Sequence, residues 1–323
     1  MITLEDAYIF AGLVFAAFAG LGLSDRSNPR RLGNSLFWAL VAVSFLFGSR
    51  LGNLENGTIA LALAILGASR LLGPAPGDGG DRGERARSAA RFGNWLFVPA
   101  LLVPFTALVG SIGLKNLVVA GQPLIEPRQA TVISLALGVL VAGIAAMAWL
   151  RPRPVVPFEE GRRLMDAIGW AAVLPQMLAS LGALFALAGV GREVGRLVAD
   201  YVPLTHPLTV IAAYCFGMAV FTAIMGNAFA AFPVMTAAIG LPLIVHKFGG
   251  SPAIMSALGM LSGFCGTLTT PMAANFNIVP AALLELPDRN AVIKAQWPTA
   301  VLLLACNVFL MYVLVFRFAA HRP

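Results

Sequence analysis

The residues best placed to do chemistry fall in two stretches, each inside a long uncharged run. The first is Gly226-Asn-Ala-Phe-Ala-Ala-Phe-Pro233, and the second is Gly266-Thr-Leu-Thr-Thr-Pro-Met-Ala-Ala-Asn-Phe-Asn277. The second holds Thr267, Thr269, Thr270, Asn275 and Asn277, five neutral hydrogen-bonding side chains in eleven positions. Ser251-Pro252 and Thr270-Pro271 each read as a helix cap followed by proline at the first helical position. One helix is therefore expected from Pro252 to about Leu261 and another from Pro271 toward Leu284. A restarted helix presents the positive end of its dipole, which suits a carboxylate. Carbonyls at the end of the preceding helix suit a cation. No Arg or Lys lies between 248 and 284, so a small carboxylate bearing an amide fits this inventory better than a sugar phosphate. Gly226 and Asn227 are expected to supply the facing half of the site. The competing reading takes these Thr and Asn side chains as packing contacts between membrane helices, with Asn227 satisfied beside a kink.

Few other groups offer chemistry. Pro175 removes a helix donor and frees a carbonyl that Gln176 could use. Pro99 and Pro104 kink another segment. Glu285, near a span end, could carry a coupling proton, as Gln176 could assist ion coupling. Asp166 lies one turn from Arg162 and Arg163, which reads as half of an interfacial ion pair. Cys215, Cys265 and Cys306, like His206, His246 and His321, are scattered without metal-ligand spacing. No zinc motif, phosphate-binding loop, Gly-x-Ser-x-Gly elbow or nucleophile–base set is present. No catalytic residue, metal or cofactor is therefore expected, beyond Na+ or H+ as a coupling ion, and the chain reads as something other than an enzyme.

These residues must be held by elements that composition places in a bilayer. The chain has 323 residues, of which 59% are hydrophobic and 11% charged, against about 25% charged in an ordinary soluble domain. Its mean hydropathy is +0.83. Uncharged runs cover 7–24, 32–49, 56–69, 92–114, 129–150, 167–191, 201–246, 248–284 and 295–316. A spanning helix needs roughly 20 apolar residues, so an all-α polytopic membrane protein with about nine to eleven membrane segments is predicted, with broken or re-entrant helices in its C-terminal half. The runs are continuous rather than alternating, which disfavours a transmembrane barrel. Break-flanked pieces of about 13 residues would reach only about 20 Å each. An interrupted pair of this kind points to a transporter site near the bilayer midplane.

The formal charge is +7, carried by 19 Arg and 3 Lys against 15 acids. Twelve basic residues fall in three loops: Arg26, Arg30 and Arg31; Arg70, Arg82, Arg85, Arg87 and Arg91; and Arg151, Arg153, Arg162 and Arg163. The alternate loops hold five: Arg50; Lys115 and Arg128; Arg192 and Arg196. This alternation follows the positive-inside rule; it excludes nucleic acid as the reason for the charge and puts the N-terminus outside. The opening residues lack a signal peptide's basic region, so the first apolar run is expected to be a retained span. The predicted organisation is N-terminal transmembrane helices over 1–72, a flexible polar linker over 73–91, transmembrane helices over 92–190, an amphipathic helix lying in the interface over 190–206 and a transport core over 207–316. In the interfacial helix Val190, Val194, Leu197, Val198, Tyr201 and Val202 form the apolar stripe, and Arg192, Glu193, Arg196 and Asp200 the wet face.

At Gly263-Phe-Cys-Gly-Thr-Leu-Thr-Thr-Pro-Met-Ala-Ala-Asn-Phe-Asn-Ile-Val-Pro-Ala-Ala-Leu-Leu, with Gly226-Asn-Ala-Phe-Ala-Ala-Phe-Pro upstream and the opening Ile-Thr-Leu-Glu-Asp-Ala-Tyr, the chain resembles a bacterial membrane family. That family, formerly of unknown function, is described as the larger membrane subunit of a two-component 5-oxoproline (pyroglutamate) transporter. The resemblance covers the whole chain, with its specific part in 226–280. It implies the bacterial inner membrane, a second, smaller membrane subunit and a small carboxylate substrate. No set of functional residues comes with it. A looser resemblance is to the ion-transporter superfamily of anion permeases, which use two hairpins and two broken helices; this is analogy. The alternatives are a permease subunit for another small organic anion, gluconate- or dicarboxylate-like, and a non-transporting membrane scaffold for a pyroglutamate-processing enzyme. A membrane-embedded enzyme ranks third.

Overall fold

The computed structural model describes residues 1–74, 82–114, 117–119, 121–201, 205–284 and 286–317. Helices dominate; a two-residue antiparallel ladder, Val118–Val119 (β1) with Gln122–Pro123 (β2), is a minor exception. Among the described residues, seven helical stretches are long and apolar enough to cross a membrane, and four shorter apolar helices accompany them. Leu101, Phe105, Ile144, Val220, Ile224, Leu302 and Phe309 are all more than half exposed. Large apolar side chains on so many helix faces suit lipid rather than water. The protein is an all-α polytopic membrane protein. It forms two units, Met1–Trp170 and Ala171–Pro323.

In the first unit, α1 (Leu4–Ser24) and α2 (Arg31–Phe47) make an antiparallel hairpin. Phe15 is the seam, stacking on Trp38 at 5.5 Å and on Phe45 at 5.7 Å. Next come α3 (Asn53–Ala68), α4 (Arg82–Phe92) and α5 (Phe97–Ile112). Then α6 (Ala130–Leu150) packs on α5, and α7 (Val156–Ile168) packs on α1. Half of the polar linker is thus ordered differently from expectation: 82–92 is a helix, because the Gly-rich run ends at Gly83 and helix-forming Arg, Glu and Ala follow. The linker's 75–81 lie outside the described residues.

Hydrogen bonds sort the loops of this unit onto two ends. Arg30 Nη1 donates to the Leu72 carbonyl at 3.2 Å, Asn34 and Gly73 exchange two bonds, and Arg162 pairs with Asp25 at 2.8 Å. These join the three Arg-rich connections. At the other end the Ser49 hydroxyl donates to Glu5, and Ile2 bridges to Ile125. Within this unit, the alternation of Arg-rich and Arg-poor loops is therefore a separation in space.

The second unit contains α8 (Leu174–Leu187), α9 (Val190–Tyr201), α10 (Pro207–Met225), α11 (Ala228–Met235), α12 (Pro252–Thr267), α13 (Ala274–Leu283) and α14 (Ala291–Leu314). Helix α11 continues as a π-helix over Thr236–Lys247. Its core is built by α10, the π-helix, α12 and α14 around Ile211, Tyr214, Met218, Ile239, Met255 and Met311, all under 2% exposed. Helix α14 returns to the start of α12, where Ser251 donates its N–H to the Val315 carbonyl at 2.8 Å.

Helix α9 is amphipathic as read from sequence, and Val194 and Val198 pack on that core. A Cβ on Gly191 would sit 2.9 Å from the Val234 carbonyl oxygen, and one on Gly195 3.0 Å from that of Ala238. Two glycines four apart bring the backbones together. Helix α9 therefore runs along the 228–247 segment.

Candidate functional site

Both stretches singled out by sequence are breaks in the helix path, and they meet. Helix α10 ends at Met225, and Gly226 takes the left-handed conformation at φ +73°. This lets its N–H close on the Thr222 carbonyl at 2.6 Å. The next residue, Asn227, caps α11: its Oδ1 accepts from the Phe229 N–H at 2.8 Å. One helix is finished and the next begun by two adjacent residues. A Cβ at Gly226 would lie 2.5 Å from the carbonyl oxygen of Met272. Only glycine lets the backbone of the first break touch that of the second.

The second break is a knot of short-range bonds. Thr267 Oγ1 donates to the Phe264 carbonyl at 2.6 Å, and Thr269 Oγ1 to that of Gly266 at 2.8 Å. Thr270 Oγ1 accepts from the Met272 N–H at 3.2 Å. Asn277, on α13, is fully buried and turns its Nδ2 back to the carbonyls of Thr267, at 2.8 Å, and Thr270, at 2.6 Å. An amide facing two carbonyl oxygens must present its NH2. One side chain thereby satisfies a terminal carbonyl of α12 and a carbonyl of the turn that follows it. Gly266 places α12 against α10, where an added Cβ would be 2.1 Å from the Ala219 carbonyl oxygen. Phe229, Phe264 and Phe276 form ring contacts at 6.0 and 6.3 Å across both breaks.

Three expectations change. Helix α13 starts at Ala274, with Ala273 before it and no side-chain cap; Thr270 and Pro271 belong to the turn, because Asn277 holds the turn open by occupying the carbonyls there. The pieces are longer than expected before the breaks: α10 has 19 residues and α12 has 16, about 28 and 24 Å. The first break therefore lies at the end of a helix long enough to span, whereas α12 before the second break remains shorter than a span. Thr267 and Thr269 donate their hydroxyl protons to their own backbone, which takes those donors away from an anion, whereas Thr270 Oγ1 accepts and keeps its O–H.

Two buried polar atoms beside the breaks have no hydrogen-bond partner, Asn277 Oδ1 and Thr222 Oγ1. Thr222 is a residue that sequence reasoning does not single out. It lies one helical turn before Gly226, and a hydroxyl four residues from a predicted helix end was the available signal. A groove of about 160 Å³ opens between α10 and α14, lined by apolar side chains with Thr269 as its polar contributor. Asn275, in the first turn of α13, is exposed. Gln176 is exposed at the start of α8. Gly182 of the same helix abuts Ala230 of α11. Glu285 lies outside the described residues. Groups of three or more metal-type ligands are absent among the described residues.

The profile of a family described as a protein of unknown function, DUF979, matches residues 5–316. No curated protein and no solved structure shows significant similarity to the chain.

Proposed function

The chain therefore belongs to DUF979, and we propose that it is the larger membrane subunit of an ion-coupled secondary transporter for 5-oxoproline. In this reading it sits in a bacterial inner membrane with its N-terminus outside, beside a smaller membrane subunit. One observation carries the reading: two helix breaks touch through Gly226 and Met272, with Asn277 Oδ1 and Thr222 Oγ1 buried and unpartnered behind them. Irregular backbone in a membrane protein is tolerated where protein or a polar cavity satisfies it. Unpartnered buried polar atoms invite a ligand or water.

The first turn of α13 has N–H groups without intrahelical acceptors, and Asn275 stands exposed on that turn. These would hold the substrate carboxylate. An acceptor such as Asn277 Oδ1 matches the lactam N–H once the contact between the breaks parts. Asn227 and Gly226 line the opposite side. The test is uptake of labelled 5-oxoproline into proteoliposomes, with and without the smaller subunit, under separate sodium and proton gradients. Gradient-driven accumulation is expected. Its absence with both subunits present would overturn the reading, and competition by gluconate or succinate would assign a different small anion.

A second reading, a non-transporting scaffold for a pyroglutamate-processing enzyme, is favoured by one observation: each threonine hydroxyl of the second break bonds its own backbone. Co-purification with such an enzyme in the absence of any uptake would establish it.

A further inference from the structure

A dense buried polar cluster lies in the first unit. Asp166 of α7 is 2% exposed. Its Oδ1 accepts from Trp38 Nε1 of α2 at 2.8 Å. Its Oδ2 faces Arg162 Nη1 at 3.4 Å, a long contact. The same guanidinium holds Asp25, at the end of α1, at 2.8 Å through Nη2. Asp25 keeps 20% of its side chain exposed, and Asp166 1%. Among the described residues, the charged groups facing Asp166 are thus Arg162 from its own helix and Asp25 from α1. Helix α2 contributes Trp38 and Asn34, which are neutral.

Two carboxylates share one guanidinium, leaving a net charge of −1. A buried ion-pair network that serves only to hold helices together satisfies its donors. This one leaves Arg162 Nε and Ser35 Oγ without partners, and Ser35 is more than nine-tenths buried. Ser35 Oγ and Arg162 Cδ both face Gly22, at 2.8 and 3.7 Å from where its Cβ would stand. A metal cation does not suit the space, because Arg162 already occupies the position between the two carboxylates and each Asp166 oxygen already has a donor. A proton does suit it. Protonation of Asp166 removes only the long Arg162 contact, and the guanidinium keeps its short bond to Asp25.

We propose that Asp166 is a proton-binding site of this protein. The carboxylate takes up one proton to become the neutral acid, and Arg162 shifts its charge to Asp25 alone. When the proton leaves, the guanidinium again bridges both acids. The use of that proton to drive a carboxylate across the membrane rests on the transport function proposed above; the proton site itself does not.

Trp38 reports on the site directly, because its indole N–H donates to the titrating carboxylate. Full-length protein in detergent is prepared with Trp95, Trp149, Trp170 and Trp297 replaced by Phe, and the emission of Trp38 is followed with pH. One reversible step on acidification, ahead of any unfolding, is expected. It should vanish in Asp166→Asn, which keeps an oxygen for Trp38, and persist in Asp25→Asn. A wild-type emission that does not move, or a step that survives Asp166→Asn or disappears in Asp25→Asn, overturns the proposal. Should Asp166→Asn fail to fold, modification of the wild-type protein by dicyclohexylcarbodiimide decides the matter: an adduct at Asp166 that fades as pH rises supports the site, and an unmodified Asp166 rejects it. In proteoliposomes, proton-driven 5-oxoproline accumulation should be lost in Asp166→Asn. Failure of the wild type to take up 5-oxoproline would sink the substrate reading and leave the emission step to judge the proton site.

Discussion

Replacing Gly226 by Ala tests whether the two breaks depend on touching. Two effects are separable. An alanine at φ +73° costs about 1–2 kcal/mol through the left-handed conformation alone. In addition its Cβ would meet the Met272 carbonyl at 2.5 and 2.6 Å, both backbone atoms. Backbone cannot swing aside like a flexible side chain, so overpacking of about 1–3 kcal/mol is added. Gly249 is the natural control. It has the same φ of +73°, with nothing within 4 Å of an added Cβ, so Gly249→Ala carries the conformational term alone. The excess of Gly226→Ala over Gly249→Ala is then about 1–3 kcal/mol, near 2–4 °C in Tm per kcal/mol for a body of this size. Thermal unfolding in detergent measures it, and uptake measured on the same preparations is expected to fall for Gly226→Ala alone. Equal Tm shifts in the two variants would refute the idea that the breaks are locked together through that backbone contact.

Asn277→Ala orphans the carbonyls of Thr267 and Thr270 and should destabilise by about 2–4 kcal/mol, read as a lower unfolding midpoint. Asn275→Ala, at an exposed position, should leave stability within about 0.5 kcal/mol while abolishing uptake without loss of protein from the membrane; normal uptake would reject Asn275 as a substrate contact. Gly195→Leu should separate α9 from the Ala238 backbone and lower the Tm, whereas Arg196→Gln, on the exposed Glu193–Arg196 pair, should change it by less than about 1 kcal/mol. The Asp25 carboxyl is held below its ordinary value, first by the Ser27 hydroxyl and then by Arg162. A depressed carboxylate contributes stability that is present above its unfolded value of about 3.9 and lost as pH falls through the folded value. Acid unfolding of the wild type should therefore carry a component below about pH 4 that Asp25→Asn removes.

How much was legible in the sequence differs between elements. Charge spacing alone marked the apolar helices, because a bilayer forbids unpaired charge over some 20 residues. The same spacing assigned the Arg-rich loops to one set, and the bonds Arg30–Leu72, Asn34–Gly73 and Arg162–Asp25 bring those loops together. The pairing of Asp166 with Arg162 followed from helical spacing of four residues. Gly226-Asn227 was readable as a break, since Gly and Asn are the residues that end and begin helices. The amphipathic stripe of α9 was also legible from its period.

What tertiary structure decided was where these pieces sit. Periodicity states which face of α9 is apolar but not what it packs on; Gly191 and Gly195 set the helix against the backbone at Val234 and Ala238. Local signals put the restart of the second helix at Pro271, and it begins at Ala274 because Asn277, seven and ten residues on from the carbonyls it holds, closes the turn. Likewise Trp38 and Asp166 are 128 residues apart. Composition fixes the solvent a helix can tolerate, since that is a property of each residue summed along the chain. Which polar atoms meet depends on how helices dock, and that is settled by shape between segments remote in sequence.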